Sequence, residues 1–177
     1  MGLIGLAVVL AIGLALVPLA AEAQQAGKMY RVSLLALFPA EDLALMKTLK
    51  ERLHELGYIE GKNLLFEYRS AEGRQERLPE LAAELAQAHP DLLIAGTGTL
   101  TPLALKKVTT TIPIVFASVG DPVGAGVVAS LARPGGNVTG VTGQSADLAP
   151  KRLQLLRDLL PSSRIIAVLA NPATPFA

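Results

Sequence analysis

From Tyr30 onward the sequence alternates short apolar runs with amphipathic ones, and this alternation constrains the fold more than any other feature. Residues 30–37 are mostly apolar, as a strand buried on both faces of a parallel sheet must be. In residues 41–56, Leu43, Met46, Leu49, Leu53 and Leu56 recur at intervals of three and four, while Lys47, Lys50, Arg52 and Glu55 fall largely off that stripe. The spacing predicts an amphipathic helix, stopped by Gly57. Residues 63–68 predict a second strand. Residues 75–88 predict a second helix, with Leu78, Leu81, Ala82 and Leu85 on one face and Pro90 beyond its end. The same reading gives strands at 91–95, 112–117 and 138–142, a helix at about 101–108 and a short helix at 123–132. Pro134-Gly135-Gly136-Asn137 is a turn before the fifth strand. A further helix is expected at 147–160 and a sixth strand at 164–169.

Strands separated by helices give an α/β fold with a parallel sheet, and right-handed crossovers place the helices on both faces. A flavodoxin-like strand order of 2-1-3-4-5 is the expectation, although periodicity by itself does not fix the order.

The first segment has a different character. Residues 2–21 carry no charge, Pro18 closes the apolar run, and Ala21-Glu22-Ala23 is an A-x-A pattern ahead of Gln24-Gln25. This order predicts a secretory signal peptide over residues 1–23, cleaved after Ala23. The competing reading is a retained anchor, since about 20 apolar residues can span a bilayer. No Lys or Arg precedes the apolar run, so the start of translation is expected upstream. The segment also explains the 51% hydrophobic content beside only 18% charge. The charge balance, 16 basic against 15 acidic residues in 177, excludes the usual basic nucleic-acid binder, so no nucleic-acid partner is expected. The absence of Cys excludes a disulfide scaffold, a thiolate nucleophile, Cys-ligated zinc and a lipid-modified Cys. Without a lipid tether, export points to a periplasmic location.

In an open parallel sheet, ligands bind outside the carboxyl ends of the strands. That rule selects Phe38 after the first strand, Thr97, Gly98 and Thr99 after the third, Ser118, Val119 and Asp121 after the fourth, and Thr142 after the fifth. In the Gly96–Thr99 group, glycines let the backbone approach a ligand, hydroxyls donate and accept, and a helix N-terminus favours an anion. The plainer reading is that Thr99 or Thr101 caps the helix and the glycines turn the chain. Asp121 either pairs with a ligand ammonium group or caps the segment that begins at Pro122. Phe38 either stacks on a ligand ring or closes the top of the core. His54 and His89 fall far from the strand ends, so no nucleophile–base pair has obvious members. Gly120-Asp-Pro-Val-Gly124-Ala-Gly126 lacks the Gly-Lys-Ser/Thr of a P-loop, and Gly96-Thr-Gly98 lacks the third Gly of a dinucleotide fingerprint. Asn137-Val138-Thr139 matches a glycosylation sequon that a turn entering a strand explains equally well. No metal site, cofactor or enzyme activity is expected.

Several blocks together resemble one family. They are Glu55-Leu-Gly-Tyr-Ile-Glu-Gly-Lys-Asn63, Glu67-Tyr-Arg-Ser-Ala-Glu-Gly-Arg74, Arg77-Leu-Pro-Glu-Leu-Ala-Ala-Glu-Leu85, Thr109-Thr-Thr-Ile-Pro-Ile-Val-Phe116, Gly120-Asp-Pro-Val123, Ser130-Leu-Ala-Arg-Pro-Gly-Gly-Asn-Val-Thr-Gly-Val141 and Lys151-Arg-Leu-Gln-Leu-Leu156. The family is the ABC-transporter substrate-binding proteins of the tryptophan/tyrosine-type uptake group, with the type I periplasmic binding protein fold. The resemblance implies two α/β lobes that close on a small molecule, expected to be an amino acid or similar zwitterion, and deliver it to a membrane permease. It also implies residues 24–145 as the N-terminal lobe and 146–177 as the start of a second lobe that is incomplete here. Within the first lobe it implies a wall formed by Thr97, Gly98, Thr99, Ser118, Val119 and Asp121, with the hydroxyls and amides of Thr97–Thr99 on a carboxylate. An exported Rossmann-like enzyme, or a sensor lobe, holding a phosphorylated ligand at Gly96–Thr99 is the alternative.

Overall fold

The computed structural model describes residues 28–39, 44–143 and 145–168. The expected signal peptide and its cleavage site lie outside these residues. The elements in chain order are β1 (Tyr30–Ala36), α1 (Ala44–Glu55), β2 (Leu64–Ser70), α2 (Leu78–Gln87), β3 (Leu92–Thr97), α3 (Leu100–Val108), β4 (Ile114–Val119), β5 (Val138–Thr142) and α4 (Ser145–Leu159). A 3-10 turn over Gln75–Arg77 leads into α2. The five strands form one sheet in the order β2-β1-β3-β4-β5, every neighbouring pair parallel. This is the flavodoxin-like order expected from the sequence.

Alternate residues of the central strands serve two cores. Val32, Leu34, Ala36, Leu64 and Ile94 are buried on one face, against Met46, Leu49 and Leu53 of α1. Leu35, Leu93, Ala95, Ile114, Phe116 and Val138 are buried on the other, with Leu78, Leu81, Ala82 and Leu85 of α2 and Leu105 of α3. Helices therefore cover both faces, and β1 is buried from Val32 to Ala36. Each fully buried Leu contributes roughly 1.5–3 kcal/mol relative to exposure. Leu56, expected on the buried stripe of α1, is 67% exposed because the helix ends at Glu55. There Gly57, at φ 86°, donates its N–H to His54 and reverses the chain.

Two expected elements do not form. Residues 123–132 are turns rather than a helix. Adjacent Val127 and Val128 are both buried in the second core, and Gly126 sits at φ 71°. The carbonyls of Gly126 and Val127 accept hydrogen bonds from Lys106 Nζ at 2.8 and 3.1 Å, in place of helical amides. Tertiary burial and a borrowed lysine thus replace the helix that the spacing predicted. The sixth strand is likewise absent: residues 164–168 are in no strand, and Ile165 and Val168 are 86% and 82% exposed. A strand needs a ladder partner, and none of the described residues provides one; Leu169 lies outside them. Helix α4 forms as expected, yet it packs on none of the sheet's cores, with Leu153, Leu155 and Leu159 exposed.

The amino ends of β1 and β3 are tied by Asp91. One carboxylate oxygen accepts the Arg31 backbone N–H at 2.9 Å, and the other lies 2.9 Å from Lys28 Nζ. The Arg31 amide first, then the Lys28 ammonium, hold the Asp91 carboxyl below the usual carboxylate range. Folding lowers this pKa, so the contribution is complete above the unfolded value of about 3.9 and is lost as pH falls through the lower folded value. Asp91→Asn keeps an acceptor for Arg31 but removes the charge. Urea midpoints of the two proteins should therefore differ at neutral pH and converge only as pH falls through the lowered folded pKa of Asp91, beneath the ordinary carboxylate range. A gap that stays constant through this range would contradict the assignment.

Candidate ligand-binding rim

Because all five strands are parallel, their carboxyl ends lie along one edge of the sheet. In register terms, Ala36 stands opposite Ser70, Thr97 opposite Ser118, and Val119 opposite Thr142. The loops beyond them are stitched together. Gly98 N–H donates to the Ser118 carbonyl at 2.8 Å, Thr142 Oγ1 to the Val119 carbonyl at 2.9 Å, and Gly143 N–H to the same carbonyl at 3.1 Å. The register of β4 and β5 shifts between Phe116 and Val119, an irregularity that re-aims the end of β4 next to the rim.

The candidate residues occupy this edge in different ways. Thr97 and Gly98 are exposed, and Ser118, Asp121 and Thr142 are half-buried. Thr99 and Val119 are buried, so they contribute backbone rather than an open side chain. Thr99 occupies the N-cap position of α3 without a side-chain capping bond, and Thr101 Oγ1 instead donates to the Gly96 carbonyl at 3.2 Å. The first turn of α3 contains no acidic residue, which leaves its positive dipole end unopposed from within the turn. Asp121 Oδ1 accepts the Gly124 N–H at 2.8 Å, so the plainer turn-forming role is realised in the geometry. A Cβ at Gly124 would force the other carboxylate oxygen of Asp121 to shift. Phe38 is 62% exposed and does not close the core.

The strand-end rule selects no candidate after β2, whose predicted strand ends at residue 68. The strand in fact runs to Ser70. Tyr68 Oη donates to the Phe38 carbonyl at 3.2 Å, and Gly73 N–H donates to the Leu37 carbonyl at 2.6 Å. The only advance signal was a hydroxyl-bearing aromatic at a strand end followed by a glycine.

Other features lie apart from the rim. His54 and His89 are exposed, and the Asn137 side chain donates to the carbonyls of Thr109 and Ile112, binding the sequon asparagine into the turn. A hollow of about 580 Å³ is lined by residues of α4 and the segment after it, including Leu153, Arg157 and Ser163, and shares no residue with the rim. Among the described residues, no three of His, Cys, Asp and Glu converge as metal ligands, and no helix is long and apolar enough to cross a membrane.

The sequence profile of the ABC transporter substrate-binding proteins matches residues 38–175, more than half of the chain. The chain belongs to that family. A family relative, the tyrosine-binding protein of Clostridioides difficile (strain R20291), is 32% identical over 140 residues, 79% of this chain and 39% of that protein. The crystal structure of a conserved domain protein from Vibrio cholerae O1 biovar El Tor is similar at 38% identity and a TM-score of 0.73, over 83% of this chain and 49% of that one. The ABC domain from Streptococcus pneumoniae in complex with L-Trp is similar at 29% identity and a TM-score of 0.58, over 64% and 38%. This member of the substrate-binding family thus spans less than half the length of each of these relatives.

Proposed function

We propose that this chain forms one wall of an extracytoplasmic solute-binding protein that captures an amino acid or similar small zwitterion, aromatic ones foremost, and delivers it chemically unchanged to an ABC permease. The observation that carries the reading is the gathering of Thr97, Gly98, Ser118 and Thr142 along one sheet edge in a chain of the substrate-binding family. The relatives named for tyrosine binding and solved with L-Trp support the ligand class. In this reading residues 1–23 are the export signal, residues 24–145 the first lobe and residues 146–177 the beginning of the second, consistent with α4 standing clear of the first lobe's cores. Thr97 and the start of α3 receive the ligand carboxylate, and Asp121 accepts its ammonium with the oxygen not engaged by Gly124. The ligand favours the closed state by its differential affinity for it.

A thermal-shift screen of the complete gene product against amino acids tests this directly. At a hundredfold excess over Kd, a true ligand adds about 2.7 kcal/mol of stability, an easily read rise in Tm. Thr97→Val keeps the shape of the strand end and removes one hydrogen bond to a charged group, so Kd should rise about tenfold. Failure of every amino acid to shift Tm, or turnover of a ligand by the purified protein, would overturn the proposal. An unchanged Kd in Thr97→Val would move the carboxylate site elsewhere.

A further inference from the structure

Resting on that functional reading, we infer that Phe38 is the platform on which the ligand's aromatic ring stacks, and that Tyr68 and the turn over residues 71–74 hold it in place. Phe38 keeps most of its ring open at the rim, 62% exposed, although it lies only two residues beyond β1, a strand that contributes to both cores. Exposure alone describes many surface residues. What sets Phe38 apart is the number of constraints that converge on it.

Its carbonyl is held by Tyr68 Oη and the preceding carbonyl by Gly73 N–H. The ring rests against Gly73, where an added Cβ would lie 3.4 Å from Cε1 and 3.7 Å from Cδ1. Gly73 is at φ 79° and Glu72 at φ 54°, two left-handed residues in succession. That conformation is uncommon for glutamate and persists only where surroundings over-determine it. Here they do: Glu72 N–H donates to Ser70 Oγ at 3.0 Å, and the Glu72 carboxylate pairs with Arg74 at 2.8 Å and Arg77 at 3.0 Å. The product of this turn is a glycine amide and a bare Cα presented to the Leu37–Phe38 backbone and ring. A ring fixed before the ligand arrives avoids the ordering cost of binding, and its open face and edge suit offset or edge-to-face contact with a second aromatic ring.

Titration calorimetry of the complete gene product with L-Trp, L-Tyr and L-Leu tests the inference. Phe38→Ala should weaken L-Trp and L-Tyr about tenfold and L-Leu no more than about threefold, whereas Phe38→Tyr retains aromatic binding. Tyr68→Phe and Gly73→Ala should each weaken L-Trp about threefold, and the Phe38→Ala/Tyr68→Phe double variant should bind no worse than Phe38→Ala, because Tyr68 acts through Phe38. Additive losses would remove the positioning role of Tyr68. Unchanged L-Trp affinity in Phe38→Ala, or a wild-type protein that binds only non-aromatic amino acids, overturns the inference while amino-acid binding itself stands. If the wild type binds no amino acid at all, the reading and the inference fall together.

Discussion

Leu35→Ala is expected to cost about 2–5 kcal/mol of stability, the range for removing a buried leucine side chain. Leu35 lies on β1, between β2 and β3, opposite Arg69 and Ala95, and no part of it is exposed. Its side chain belongs to the core that also holds Leu81 and Leu85 of α2 and Leu105 of α3. The hole left by alanine is bounded by sheet on one side and two helices on the other, so collapse to fill it would need several elements to move together. Leu65 supplies the contrast on an edge strand. It is 37% exposed, and Leu65→Ala should shift the urea midpoint by a small fraction of the Leu35→Ala effect. Equal midpoint shifts for the two variants would mean that β1 does not have the central place described.

Gly140→Ala should cost about 3 kcal/mol, at the upper end for inserting one carbon into a packed site. Gly140 pairs with Phe116 across the β4–β5 ladder. A methyl at this position would fall on the Phe116 carbonyl oxygen and would lie 2.5 Å from the ring carbons Cγ and Cδ2. Phe116 is itself buried, so its ring cannot swing to water without vacating the core. Relief must come from β5 moving away from β4. Amide hydrogen exchange should therefore show β5 losing protection while β1 and β3 keep theirs. Since Thr142 holds the Val119 and Gly120 carbonyls, the same displacement should weaken ligand binding. Wild-type protection of β5 in Gly140→Ala would show that the ladder accommodates a side chain there.

The strands were legible because burial on both faces leaves an apolar run that polar residues cannot interrupt, as in Leu34-Leu35-Ala36 and Leu93-Ile94-Ala95. The helices α1, α2 and α3 were legible because each buries one face only, which imposes the spacing of three and four. Residues 123–132 misled the same rule. Valines there are buried through turns whose carbonyls are satisfied by Lys106, a residue about twenty positions away that no local pattern can announce. For the same reason the strand at 164–168 was overread: its apolar character is real, but strand formation depends on a neighbour.

At the rim, the strand-end rule located Thr97, Ser118 and Thr142 without any structure, because parallel strands necessarily end on the same edge. It could not tell that Thr99 is buried, that Asp121 already accepts the Gly124 amide, or that Tyr68 of β2 and Gly73 of the turn after it engage the Phe38 and Leu37 carbonyls. The sequence by itself determined the α/β class, through hydrophobic period, and the edge on which the candidate binding residues lie, through chain direction. Only the tertiary structure decided which side chains face that edge and which are already engaged, because hydrogen bonds between loops depend on distances between segments far apart in the chain.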